Sequence, residues 1–347
     1  MKDIKVITCA SYGGTGSSAV TDLLKEFTSV YSLGDFEFTL AHEVDGISDL
    51  EHYLVEDNHR LKVDEAIYRF KKLNKNISGG YEKYIENYLE LSEKYSDALV
   101  DVTWDGCWHR HAERYDYAFK IKRSIKNKIL RKINPILSKI RNYEYSYSSG
   151  YKKLPMYYVE PLDKDVFYSK TREFFTRVFS NVKGYDNQEF IAMDQLLPPS
   201  NLKRYLNYFN NMKVIVVDRD PRDLYILNKE YWKEGWIPTD DVNVFCKWFE
   251  SLRRHMDVYD EDSENVLRIK FEDFIYEYDS TLQKVMEFLS LNKESHINKK
   301  AFLNPDISVK NTKLWLKHPE YAESMKYIES NLKNYCYDYN KHSFTSV

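Results

Sequence analysis

The chain has 347 residues, enough to bury a large core in one domain or two. Its 51 lysines and arginines stand against 54 aspartates and glutamates. That near-neutral balance gives no global pull toward nucleic acid or an anionic membrane, so any anion site must be assembled locally.

The four cysteines, Cys9, Cys107, Cys246 and Cys336, are scattered and have no metal-ligand spacing. They are expected as free thiols in a reducing compartment. The first residues pass directly into an apolar run, and no stretch approaches the ~20 apolar residues of a membrane span. A cytoplasmic protein without integral membrane contact is expected.

Taken in chain order, residues 4–24 come first. Ile4, Val6 and Ile7 form an apolar run, Ser11 to Ser18 a loop of small residues, and Ala19, Val20, Leu23 and Leu24 a helical repeat. Strand, small-residue loop and helix is how α/β proteins build an anion site. Gly13, Gly14 and Gly16 let backbone N–H groups turn toward a phosphate, and the helix presents its positive end there. A second strand over 29–33, ending near Gly34, completes a βαβ opening and implies a parallel sheet. Asp35 and Glu37 then fall at the carboxyl edge of the sheet, beside the glycine loop, where open α/β sheets place ligands.

Residues 46–98 read as helical, broken in two at Ser78, Gly79 and Gly80, and 98–102 read as a strand. From Lys120 to Arg141 the chain is strongly basic, and Ile121, Ile125, Ile129, Ile133, Ile136 and Ile140 recur at helical spacing. This amphipathic helix reads as a solvated basic face, a flap over an anionic acceptor or a membrane-surface contact. Residues 142–170 are Tyr-rich and irregular, and about 105–185 is expected to be an insertion or lid on a single 1–347 domain. Strands are expected at 190–193, at 212–217 and at 266–270. The second of these ends in Asp218, Arg219, Asp220, Pro221, Arg222 and Asp223 and leads into a helix.

Three readings compete for the glycine loop. A Walker loop needs a lysine after its last glycine, and here Gly16 is followed by Ser17 and Ser18. A dinucleotide fingerprint fits the six residues from Gly14 to Ala19, with Asp35 near the place of a ribose-binding acid. A tight turn without a ligand is the third. The turn around Arg219 and Arg222 weighs against the dinucleotide reading. Two guanidinium groups at a strand end suit bidentate phosphate contacts, which a nicotinamide enzyme does not require so late in the chain.

At these residues a resemblance emerges. The loop S-x-G-G-T-G-S-S resembles the 5′-phosphosulfate loop of sulfotransferases, and the strand followed by R-D-P-R-D resembles their 3′-phosphate motif. Residues 267–274, with Phe271, Glu272, Asp273 and Phe274, are similar to the family's late strand and turn. Residues 309–315, ending in Trp315, are similar to its C-terminal segment near the nucleotide.

The resemblance implies an α/β fold with a mainly parallel sheet flanked by helices and a P-loop-like first turn. It also implies 3′-phosphoadenosine 5′-phosphosulfate as donor. Thr15, Gly16, Ser17 and Ser18 would hold the 5′-phosphate through N–H and hydroxyl groups, and Arg219 would bind the 3′-phosphate. Two positions depart from the pattern. Gly14 stands where many members carry Lys or Arg, and Leu227, followed by Asn228, stands where many carry a phosphate-binding serine. The leaving-group cation is then expected from Lys310, Lys313 or the insertion.

Transfer of the sulfuryl group to an acceptor hydroxyl, expected to be that of a small molecule or a glycan, needs a base. Glu37, with Asp35 beside it, is the expected base, and His42 a further candidate. His109 and His111 follow an aromatic stretch, Trp104 to Trp108, suited to stacking on a sugar, and no third ligand joins them to make a metal site. No metal is expected, and no nucleic-acid partner. An oxidoreductase of Rossmann type and a non-catalytic nucleotide-binding relative remain the alternatives.

Overall fold

The computed structural model describes residues 4–108, 114, 116–147, 152–254 and 264–342. Its centre is a five-stranded parallel sheet in the order β2-β5-β1-β6-β7. The strands are β1 (Lys5–Ser11), β2 (Val30–Glu37), β5 (Phe190–Asp194), β6 (Met212–Asp218) and β7 (Val266–Lys270). A separate antiparallel ribbon pairs β3 (Val102–Gly106) with β4 (Leu154–Tyr158).

The sheet is covered on both faces, and the side-chain alternation of its strands shows why. Val6 and Ala10 of β1, Ile191 and Met193 of β5, and Val214 and Val216 of β6 enter one core. Ile7, Cys9, Ala192, Ile215 and Val217, the intervening residues, enter the other. Strands buried on both faces read as continuous apolar runs, as parallel strands between helical layers do.

The principal helices are α1 (Ser17–Lys25), α2 (Arg60–Tyr81), α3 (Tyr88–Leu99), α4 (Tyr117–Arg141), α5 (Lys164–Ser180), α6 (Pro221–Ile226), α7 (Val242–Ser251), α8 (Tyr278–Leu289) and α9 (Ala322–Asn331). A third apolar cluster, with Leu224, Phe245, Phe249, Met325 and Ile328, packs α6, α7 and α9 together. The end of α1 is pinned by buried Glu26. Its carboxylate accepts the N–H groups of Lys300, Phe302 and Leu303 and meets His296 Nε2 at 2.7 Å.

Several local expectations are revised. Helix α2 runs through Ser78, Gly79 and Gly80 to Tyr81, and the break falls at 82–87, which ends at Asn87 with φ 54°. A Cβ at Gly79 or Gly80 would meet nothing within 4 Å, so these glycines lie on an open helix face. The expected strand at 98–102 is displaced, because α3 continues to Leu99 and β3 begins at Val102. Strand β4 lies within the stretch expected to be irregular. Of the expected insertion at about 105–185, helix α5 places Phe167, Phe174, Phe175 and Val178 in the main core. The ribbon β3–β4 with α4 between its strands is the remainder. His109 and His111 lie outside the described residues.

Candidate functional site

The glycine loop leaves β1 at the carboxyl edge of the sheet and enters α1. Gly13, Gly14 and Gly16 take φ of 84°, 67° and 108°. This left-handed backbone is open to glycine and strained for other residues. Each glycine also lies under an aromatic ring. A Cβ on Gly13 would collide with Trp236, one on Gly14 would stand 2.5 Å from Trp232, and one on Gly16 would stand 2.8 Å from Phe271. Helix α1 starts with no side-chain cap and no acid in its first turn. That is the condition under which the leading N–H groups of a helix can take an anion.

The hydroxyls of the loop are unequal. Thr15 is buried and its Oγ1 donates to the Val217 carbonyl at 2.6 Å while accepting the Tyr12 N–H. Ser17 Oγ donates to Asp194 Oδ2 at 3.2 Å. Ser18 alone of the three is exposed. Of the residues expected to hold a 5′-phosphate through N–H and hydroxyl groups, Thr15 and Ser17 thus have hydroxyls bonded within the protein, and Ser18 has an exposed one.

On one side of the loop the structure gathers carboxylates. Glu37 is the register partner of Asp194 on the β2–β5 ladder, with a bulge between Ser32 and Glu37 that includes Gly34 at φ 70°. Asp35 and Glu37 are exposed, whereas Asp194 is buried. Burial pushes the Asp194 carboxyl up to about 7, with the charges of Glu37 and Asp35 adding to the effect. Its Oδ1 makes no hydrogen bond.

Gln195, at φ 52°, clamps the start of the loop by donating Nε2 to Ser11 Oγ at 2.6 Å and to Ser17 Oγ at 3.3 Å. His42 Nε2 meets the Gln195 carbonyl at 2.9 Å, and burial lowers its pKa. The expected acids therefore stand one residue pair away from the loop, and His42 lies behind Gln195.

On the other side lies the arginine turn. Arg222 is fully engaged: its guanidinium pairs with Asp220 at 2.6 Å, stacks 4.2 Å above Trp315 and donates to the Tyr337 carbonyl. Arg219 is buried to 3% exposure, lies 4.6 Å above the Phe271 ring and donates Nη2 to the Asn311 carbonyl. Its Nε makes no hydrogen bond. Gly16, Phe271, Arg219 and Asn311 thus form one chain of contacts joining all four of the sequence motifs.

Asp223 accepts the N–H groups of Lys313 and Leu314, which docks the fourth motif. Lys310, next to Asn311, is exposed, and Lys313 Nζ lies 4.8 Å from the Tyr339 ring centre. Leu227 is buried in the third apolar cluster, and Asn228 Nδ2 donates to the Ile237 carbonyl and to Thr239, fixing the loop that carries Trp236.

Residues that the sequence reading passed over also shape the site. Asp194 carried a usable signal, an acid at the carboxyl end of a buried strand. Gln195, Trp232 and Trp236 carried none, because their roles depend on long-range placement. Arg253 is another. It is fully buried, lies 4.1 Å from the Tyr12 ring and pairs with Asp218 at 2.5 Å, so a cation sits beneath the first residue of the loop.

No family model and no curated protein matches the chain. The solved structures to which it is similar include the following three. One is the sulfotransferase domain from the curacin biosynthetic pathway, at 11% identity, covering 85% of this chain and 76% of that one, with a TM-score of 0.37. Another is retinol dehydratase in complex with androsterone and the inactive cofactor PAP, at 12% identity, 97% and 83% coverage and a TM-score of 0.34. The third is a sulfotransferase from Mycobacterium avium, at 10% identity, 95% and 77% coverage and a TM-score of 0.36.

Proposed function

We propose that the protein binds 3′-phosphoadenosine 5′-phosphosulfate and transfers its sulfuryl group to an acceptor hydroxyl, with a carbohydrate as the expected acceptor class. The observation that carries this reading is the contact chain from Gly16 through Phe271 to Arg219. It sets a glycine cradle and a buried guanidinium with an unpaired Nε at one sheet edge. A nucleotide with phosphates at both ends of its ribose needs two such elements, one for each end.

Two residues fit the chemistry on the acceptor side. Glu37, exposed and opposite Asp194 on the neighbouring strand, is the candidate to take the proton from the acceptor hydroxyl. As that oxygen forms its bond to sulfur, the bond to the 5′-phosphate oxygen breaks and the bisphosphate leaves. Lys310 is the candidate to offset the charge on that leaving oxygen, since Gly14 offers no side chain.

Strand order argues against a Rossmann dinucleotide site. In that fold the second strand lies beside the first. Here β5 stands between β1 and β2, which takes Asp35 off the neighbouring strand.

The test is calorimetric titration of the protein with 3′-phosphoadenosine 5′-phosphate. Binding that weakens at least tenfold in Arg219→Lys supports the reading. No binding at millimolar nucleotide, or a preference for NAD(H), would falsify it. Binding without sulfuryl transfer to any of a broad panel of hydroxyl acceptors would favour a nucleotide-binding relative without catalysis, which the Trp232 and Trp236 rings over the loop also suit.

A further inference from the structure

Helix α4 faces the wrong way for a helix that serves only the fold. Its six isoleucines recur at three- and four-residue steps, which at 3.6 residues per turn places them within an arc of about 120°. Every one is exposed, from 40% at Ile133 to 73% at Ile140. The two buried residues are Leu130 and Asn134, centred about 140° away around the helix. Asn134 is held there by a reciprocal pair of hydrogen bonds with the backbone of Tyr145. The helix thus anchors through a narrow, partly polar stripe and turns its apolar stripe to solvent.

Two further features accompany that stripe. Residues 117–141 contain nine lysines and arginines and no acid. Lys122, Lys132 and Lys139 fall within or at the edge of the isoleucine arc, and all three are exposed. Exposed tyrosines mark both ends: Tyr117 at the start, and Tyr143, Tyr145 and Tyr147 just beyond the end. Tyrosine, with an apolar ring and a polar tip, favours the boundary between hydrocarbon and water.

We propose that α4 is an in-plane docking helix for an anionic phospholipid surface, with the isoleucines seated among the acyl chains and the cations at the headgroups. Charge decides the occupant. Two copies of this chain meeting through α4 would bring nine cations against nine, with no acid on either helix. A polyanion without an apolar phase would leave the isoleucines in water. An anionic bilayer satisfies both, since peripheral anchoring combines apolar burial with cations near acidic headgroups. The helix lies on the surface and does not cross it, for no helix among the described residues is long and apolar enough to span. The inference is independent of the proposed sulfuryl transfer.

The experiment is flotation of the full chain with vesicles of phosphatidylcholine alone or mixed equally with phosphatidylglycerol. Binding at least tenfold stronger to the mixed vesicles, and weakened by salt, is expected. Each cation near such a surface contributes roughly a factor of five, so Lys122→Glu with Lys132→Glu is expected to cut binding by at least twenty-five-fold. Ile129→Asp with Ile136→Asp is expected to cut it tenfold or more. All four positions are exposed, so melting temperature should not move. Equal binding to both vesicle types, binding indifferent to both pairs of substitutions, or a dimer in sedimentation that Ile129→Asp with Ile136→Asp dissolves would each overturn the proposal.

Discussion

Glu37 and Asp194 stand opposite each other on neighbouring parallel strands, one exposed and one buried. The buried partner carries the raised pKa, about 7, for reasons of burial first and neighbouring charge second. The folded protein therefore holds this proton more tightly than the unfolded chain does. Below pH ~4 both states are protonated and the site costs nothing. As pH rises through the interval to 7, the unfolded chain releases its proton freely and the folded one does not, so stability falls across that window. Asp194→Asn removes the titration while keeping an acceptor for Ser17. Relative to the parent, the variant should gain on the order of 1–3 kcal/mol between pH 4 and pH 8, read from denaturant midpoints. A difference that stays flat with pH would refute the assignment.

The same geometry separates the two exposed acids. Glu37 sits at the register position beside Asp194, whereas Asp35 lies within the bulge. If Glu37 takes the acceptor proton, Glu37→Gln should lower kcat by ~10²–10⁴ and leave bisphosphate affinity unchanged. Asp35→Asn should lower kcat by less than about tenfold, since it acts only through the local field. Equal losses in the two variants would transfer the role or divide it.

Much of this arrangement was legible beforehand, for physical reasons. Strands such as β1, β5 and β6 are buried on both faces, so they announce themselves as apolar runs, and a βαβ start fixes a parallel sheet. Glycines clustered at a strand-to-helix turn likewise mark backbone that must take positive φ. Placement across the fold was not legible. Nothing local to Trp232 or Trp236 says that either ring covers a glycine, and nothing near Asp194 says that it will meet Ser17. The glycines at 79 and 80 misled because a long helix with a packed face, Phe70, Asn74 and Ser78, outweighs two poor helix formers on its open side. Nothing local to Thr15, either, says that its hydroxyl will bond to the Val217 carbonyl on a strand 202 residues away.

Arg219 stands among three buried acids, Asp220, Asp223 and Glu272, of which Asp220 is also paired with Arg222. Burial raises the Glu272 carboxyl to about 8, and the Arg219 charge works against that rise. Arg219→Ala should therefore cost on the order of 3–5 kcal/mol of stability, as loss of one partner from a buried charged cluster does. Adding Glu272→Gln to it should recover part of that loss, because the neutral amide no longer needs the cation. Arg219→Lys should fold and lose bisphosphate affinity, since a point charge replaces a planar fork. Thermal melts of the three variants, set beside bisphosphate titration of Arg219→Lys, separate the structural share from the ligand share. If Glu272→Gln changes stability by the same amount alone as in the Arg219→Ala background, the coupling is excluded.

Gly14 is where the sequence departs from the sulfotransferase pattern, and its surroundings give a physical reason why no side chain stands there. Its φ of 67° charges any other residue about 1 kcal/mol. The Trp232 ring, 2.5 Å from an ideal Cβ, and Leu224 Cδ1, 3.1 Å from it, leave no room besides. Gly14→Ala should thus destabilise by about 2 kcal/mol or more, the sum of backbone strain and overpacking. In a Trp232→Ala background the ring contact is gone and the cost should fall toward ~1 kcal/mol, the backbone share alone. The difference between the two backgrounds is the coupling energy, measured by a double-mutant cycle of denaturant melts. A lysine at position 14 would meet the same strain, so Gly14→Lys should bind the bisphosphate only in the Trp232→Ala background. If Gly14→Lys binds it equally well in both, the ring is not what keeps the loop cation out.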